Sequence, residues 1–196
     1  MRFAGQVSDF RGIDRNIVAL KVREPTLGGI VMDMLVRLYA LKESDLSDRI
    51  ARVVEQGITV RRAMSYEKEK AVSFAEAHFG GEFGGWPSEC DVAFANSPAS
   101  CFIATYERRI VGFACYNSTC KGLFGPTGVD ENFRKRGIGA ALLLASLFAM
   151  KEDGYAYAVI GGADRQLEFY GHVAAATPIP GSDPGVYRDM LEGIEA

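Results

Sequence analysis

Apolar residues along this chain keep two rhythms, a helical one at every third or fourth position and a strand rhythm of alternating or continuous runs. Residues 34–39 read as a strand, and Ser44-Asp45 then opens a helix with Leu46, Ile50, Val53 and Val54 on one stripe, stopped at Gly57. From there the pattern becomes denser. Residues 58–63 alternate as a strand, and Ser65 is placed to cap a helix beginning near Tyr66 and carrying Ala71, Val72, Phe74, Ala75 and Phe79. Gly80-Gly81 ends that helix. Pro87 suits the first position of another, which Asn96-Ser97-Pro98 stops. Residues 101–106 and 109–116 are two β-rich runs. Their joining turn lacks Asn-Gly or Asp-Gly, so the hairpin rests on pattern and proximity.

Residues 121–129 form the most informative strand. Gly122, Gly125, Pro126 and Gly128 interrupt it, and such residues mark a bulge or a close approach to the backbone. Residues 138–153 then make a helix that is apolar nearly all round and must be covered on several sides. A buried strand at 155–160, a short helix from an Asp164 cap through Tyr170, and an extended piece at 173–178 complete the pattern. The order from residue 58, β-α-α-β-β-β-α-β-α-β, predicts an α/β domain with a mixed sheet and helices on both faces. Three regions result: a poorly patterned arm at 1–31, a strand and helix extension at 32–57, and the main domain at 58–196. Met32 and Met34 end the arm, which leaves open a later natural start.

Composition narrows the function classes. The 196 residues are 48% hydrophobic and 24% charged, with a net charge of −3, as in an ordinary soluble domain. A pI near 5.5 argues against nucleic acid as partner, which asks for a basic face. No run approaches the ~18 apolar residues of a membrane span, and the first residues lack the apolar core of a signal peptide. A cytoplasmic location with reduced thiols follows as the expectation. Cys90, Cys101, Cys115 and Cys120 contain no Cys-x-x-Cys pair or zinc-like histidine spacing. No metal is therefore expected, and Cys101 and Cys115 read as small buried apolar residues.

The chemistry concentrates at Arg134-Lys135-Arg136-Gly137-Ile138-Gly139, between the interrupted strand and the apolar helix. Glycines there let backbone N–H groups approach an anion, and a helix N-terminus adds orphan donors and partial positive charge. No Gly-x-x-x-x-Gly-Lys-Ser/Thr occurs, which excludes a Walker loop. A dinucleotide fingerprint fails at Leu142, where Gly or Ala is required. The pyrophosphate of coenzyme A and a plain solvated basic turn are the readings left by the turn alone.

Its neighbours add a resemblance. The spacing Arg134-x-x-Gly137-x-Gly139, the strand ending at Val129 before it, the long apolar helix after it and Phe169-Tyr170 downstream resemble the GNAT superfamily of N-acetyltransferases. The resemblance covers about residues 58–180 and implies a mostly antiparallel mixed sheet with acetyl-CoA as co-substrate. It implies backbone contacts to the pantetheine arm from Thr127, Gly128 and Val129. Arg134, Lys135, Arg136, Gly137, Ile138, Gly139 and Ala140 would surround the pyrophosphate. Tyr170 would be the general acid, in direct acetyl transfer to an amine. Asp130-Glu131-Asn132-Phe133 departs from the proline and tyrosine common there. No glutamate lies in residues 121–129 to serve as base; Asp130, Glu82, Glu89 and Asp91 are the nearby carboxylates.

Between the first two helices of the main domain, His78-Phe79-Gly80-Gly81-Glu82-Phe83-Gly84-Gly85-Trp86 interleaves glycine pairs with aromatic residues. Glu82, Phe83 and Trp86 are candidate acceptor contacts, in a loop that binds a small-molecule or terminal amine, or else plugs that fill the core. Homodimer formation through the apolar extension is a further expectation. A non-catalytic acyl-CoA sensor on the same fold is the alternative function.

Overall fold

The computed structural model describes residues 32–81, 85–163, 166–188 and 190–191. In chain order they form β1 (Met34–Arg37), α1 (Glu43–Val54), β2 (Ile58–Arg62), α2 (Lys68–Phe79), α3 (Trp86–Ala93), β3 (Cys101–Tyr106), β4 (Arg109–Tyr116), β5 (Leu123–Val129), α4 (Ile138–Glu152), β6 (Tyr157–Ile160), α5 (Leu167–Ala174) and β7 (Thr177–Pro178). The strands make one sheet in the order β2-β3-β4-β5-β6-β1-β7. Only β5 and β6 run parallel; the other pairs are antiparallel. This is the mixed α/β architecture that the element order predicts, and it is mostly antiparallel as the family resemblance implies.

Each face of the sheet carries its own core. On one, α1, α4 and α5 cover Phe102, Ala104, Ala114, Tyr116 and Phe124. On the other, α2 and α3 cover Cys101, Ile103, Phe113 and Cys115. The alternation of β3 and β4 residues between the two clusters follows the strand period of two. Helix α4 is the central pillar, buried from Ile138 through Met150 except for Gly139. Leu142, Leu143, Leu144 and Leu147 are each at most 1% exposed. Burying each such side chain is worth roughly 1.5–3 kcal/mol, which anchors the helix and the turn at its start.

Several local expectations are refined. The first strand ends at Arg37, and Leu38–Ala40 turn as a short 3-10 segment. Ser65 does not cap α2. A 3-10 turn at Ser65–Glu67 precedes the helix, and the Glu67 carboxylate accepts from the Met64 N–H at 2.8 Å. The β3–β4 hairpin turns on Glu107 and Arg108, both in the left-handed region (φ 47° and 63°), as a tight twisted hairpin needs. Val173 and Ala174 belong to α5, which leaves only Thr177–Pro178 extended. The arm at 1–31 and the Asp164 cap lie outside the described residues.

The extension is built into the sheet. β1 lies between β6 and β7. Val36, Leu38 and Val53 are 0% exposed within the cluster around α4. Asp33, itself buried, ties this edge to the C-terminal segment: its carboxylate accepts from the Gly162 N–H and its carbonyl from the Ile179 N–H.

Candidate functional site

The site begins where β5 leaves its neighbour. β5 pairs with β6 only at Leu123↔Val159 and Phe124↔Ile160, and the two strands part beyond. On its other side β5 stays bonded to β4, with a register shift between Ala114 and Tyr116 that places an extra residue in β5 near Gly125-Pro126. The glycine and proline read from the sequence therefore sit at a bulge, which bends the strand away from β6.

Ladder alternation decides which β5 groups face the gap. The Asp130 N–H bonds to the Val111 carbonyl, so the pair one step in, Gly112↔Val129, is not mutually bonded, and neither is Ala114↔Thr127. The backbone groups of Thr127 and Val129 thus point away from β4 into the gap. Those of Gly128 are used by Phe113. Gly128 instead makes room, since a Cβ there would collide with the Phe79 ring and its missing side chain admits that ring.

The basic turn lies at the mouth of the gap. Gly137 is the N-cap of α4 at φ 85°, and Lys135 is also left-handed at φ 63°. A side chain at Gly137 is disfavoured by backbone conformation more than by space, since the nearest atom to a Cβ would be a Val53 methyl at 3.8 Å. The first helical bond runs from the Ala141 N–H to the Gly137 carbonyl. The N–H groups of Ile138, Gly139 and Ala140 precede it, as the orphan donors of a helix start. With the macrodipole they form an anion cradle.

Charge around the cradle comes from two elements. Arg49 and Arg52 on α1, with Glu55 and Gln56 just past its end, line an open groove with Lys135, Arg136 and Gly137, so four cationic side chains face one carboxylate. The Gln56 amide donates to the Arg136 carbonyl at 3.1 Å, pinning the end of α1 to the turn. Arg136 stacks over Phe133 at 4.9 Å, and Arg134 Nε donates to the Val129 carbonyl at 3.4 Å, a long and weak contact. Sequence reasoning missed the α1 arginines, because only the tertiary packing brings them to the turn.

The Phe169-Tyr170 pair joins cradle and gap. Phe169 reaches within 3.7 Å of where a Gly139 Cβ would be, while Tyr170 packs edge-on against Phe124, the last β5 residue paired to β6. Burial pushes the Tyr170 phenol up to about 12. Tyr187, from the C-terminal segment, sets its hydroxyl on Gly161, just past β6, where a Cβ would be 2.5 Å away. Burial first, then the nearby Glu89, Asp33, Cys120 and Tyr170, raises Tyr187 to about 12. No pattern in the sequence marks this tyrosine.

The remaining candidates separate. Trp86 opens α3 and packs on Phe79 and Phe113, with ring centroids at 5.3 and 6.3 Å. Glu82 and Phe83 lie outside the described residues. Asp130 is occupied as a cap, accepting from the Asn132 backbone and side chain, and Asp91 pairs with Lys68 at 2.9 Å. Glu89 is half-buried, accepts from the Thr119 hydroxyl, and is near enough to Tyr187 to influence its titration.

A splayed strand pair beside a glycine-capped helix start, within a mixed sheet covered on both faces, is the arrangement on which the comparisons with known proteins bear. The model of the acetyltransferase (GNAT) family matches residues 67–172, over half of the 196-residue chain, and the chain belongs to that family. Solved structures agree on the fold. A GCN5-related glucosamine N-acetyltransferase region of a fungal multi-domain GH3 β-N-acetylglucosaminidase superposes with a TM-score of 0.61 at 16% identity, over 77% of this chain and 20% of that one. A GCN5-related N-acetyltransferase from Sphaerobacter thermophilus gives 0.53 at 21% identity, over 77% of this chain and 50% of that one. The chain thus spans at most half of either structure. No curated protein matches it significantly in sequence.

Proposed function

We propose that this protein transfers an acetyl group from acetyl-CoA directly to a primary amine. The observation that carries the reading is the gap between β5 and β6, with the Gly137 cradle at its mouth. The residues suit the ligand. Ile138, Gly139 and Ala140 N–H groups face a pyrophosphate, Lys135 and Arg136 add charge, and Arg49 and Arg52 extend that charge toward a further phosphate. The backbone groups of Thr127 and Val129 suit the amides of a pantetheine arm, which needs only to displace the weak Arg134 contact.

Two proton problems remain in the chemistry. A lysine-like amine with pKa ~10.4 is neutral in only about one molecule in a few thousand at pH 7, so a base or a neutral acceptor is needed. Glu89, half-buried and close to Tyr187, is our choice of base, acting through water. The departing thiolate needs a donor, and Tyr170 stands where β5 and β6 part. With its pKa near 12 against ~8.5 for a thiol, full proton delivery is uphill. Tyr170 then acts chiefly by donating a hydrogen bond to the developing charge. Acceptor contacts come from the α2–α3 side, where Trp86 is joined by Glu82 and Phe83 in sequence.

The test pairs calorimetry with thiol release over a panel of amines. Tight CoA binding with amine-dependent release supports transfer, whereas tight binding without turnover favours an acyl-CoA sensor. Gly137→Glu places bulk and like charge in the cradle, at a φ of 85° where a side chain also strains the turn, and should abolish CoA binding in a protein that still folds. Retained affinity in a folded Gly137→Glu protein would remove the basis of the proposal.

A further inference from the structure

Three of the four cysteines meet in the core on the α2–α3 face. Cys101 begins β3, Cys115 lies near the end of β4, and the two are opposed in register. The neighbouring pair is hydrogen-bonded, since the Tyr116 N–H donates to the Ser100 carbonyl, so Cys101 and Cys115 form a non-hydrogen-bonded pair with side chains at closest approach. Cys90 comes down from α3 as the third corner. All three are buried, and their sulfur atoms lie within 4.8 Å of one another.

Size and chemistry suit an ion. Three sulfurs each ~2.3 Å from a central ion, in one plane with it, stand about 4.0 Å apart, so a contraction of less than ~1 Å closes the ring. Thiolate donors select soft ions. Among the described residues no histidine or carboxylate joins the cluster, and its surroundings are Ala63, Ala71, Ala93, Phe74 and Phe113. Zinc, which takes four ligands in structural sites, would be left one short.

We propose that Cys90, Cys101 and Cys115 form a three-thiolate site for one soft metal ion, monovalent copper being the best fit. Each S–H converted to a metal–sulfur bond releases its proton to solvent. The bound ion clamps α3 to β3 and β4, and so fixes the helix that carries Trp86 and Glu89. The spacing rules that led to no metal being expected do not see this site, because its ligands come from three separate elements.

The test uses the full chain, reduced and anaerobic, with the exposed Cys120 changed to Ser. Titration with Cd²⁺ should give an ultraviolet sulfur-to-metal band that saturates at one equivalent with the intensity of three thiolates, together with a raised Tm. Competition should rank Cu⁺ above Zn²⁺. Cys90→Ala should weaken Cd²⁺ at least about 100-fold, at or beyond the ~10–100-fold loss typical when only an outer hydrogen-bonding partner is removed. No band with Cd²⁺, a band unchanged in Cys90→Ala, or Zn²⁺ binding tighter than Cu⁺ would each overturn the proposal. The first and third readouts need no core variant, so a misfolded Cys90→Ala would not shield it.

Discussion

Tyr170 and Glu67 show how one side chain's surroundings set what it can do. The Tyr170 phenol is 8% exposed and shifted to about 12 by burial, so it stays protonated throughout any working range. Tyr170→Phe is expected to slow the chemical step by ~10²-fold while leaving CoA affinity unchanged, as loss of one preorganised donor does. Single-turnover kinetics with saturating donor would check this, and an unchanged rate would disprove the donor role. Glu67 is shifted the other way. Two hydrogen bonds from Arg61, at 2.6 and 2.7 Å, hold its carboxyl at about 2, below its ordinary 4.5. A depressed carboxyl contributes stability above its unfolded pKa and loses it as pH falls through the folded one. The advantage of wild type over Glu67→Gln should therefore be full above pH 5 and vanish toward pH 2. Because the Arg61 side chain is 41% exposed, solvent screening limits it to about 1 kcal/mol. Denaturant melts across that range would show it.

Among the elements, β5 does the most for the site, and its sequence announced this. Gly125-Pro126 marked the bulge, and the bulge parts β5 from β6. Gly128 was legible only as an irregularity. Its reason, the Phe79 ring that occupies the place of a Cβ, lies on another element. Gly128→Ala is expected to cost about 1–3 kcal/mol through overpacking. Phe79→Leu in the same chain should recover part of that, measurable as a shift of the urea midpoint. No coupling between the two changes would mean that the ring moves aside freely. The turn was legible as a candidate anion site because helix starts and glycines act locally. The arginines of α1 were not, because no pattern in α1 shows which loop its polar face will meet.

At the scale of the whole molecule, the extension at 32–57 closes the structure. β1 fills the sheet between β6 and β7, and Val36, Leu38 and Val53 sit at 0% exposure beneath the pillar helix. A chain limited to 58–196 would leave the β6 edge unpaired and this part of the core open. It is expected to lose cooperative unfolding, or to aggregate, in a thermal melt. A fragment that melts sharply would show instead that the extension is an accessory.

The sequence by itself determined the element order, the broken strand, the buried helix and the basic glycine turn at its start. Each is written in neighbouring residues, through side-chain periodicity and backbone freedom. The tertiary structure decided what depends on distant segments meeting. It turned Thr127 and Val129 toward the gap, set Tyr187 on Gly161, and brought α1 to the turn. It also gathered Cys90, Cys101 and Cys115 into one cluster. Such meetings follow from how the helices pack on the sheet, and no local rhythm encodes that packing.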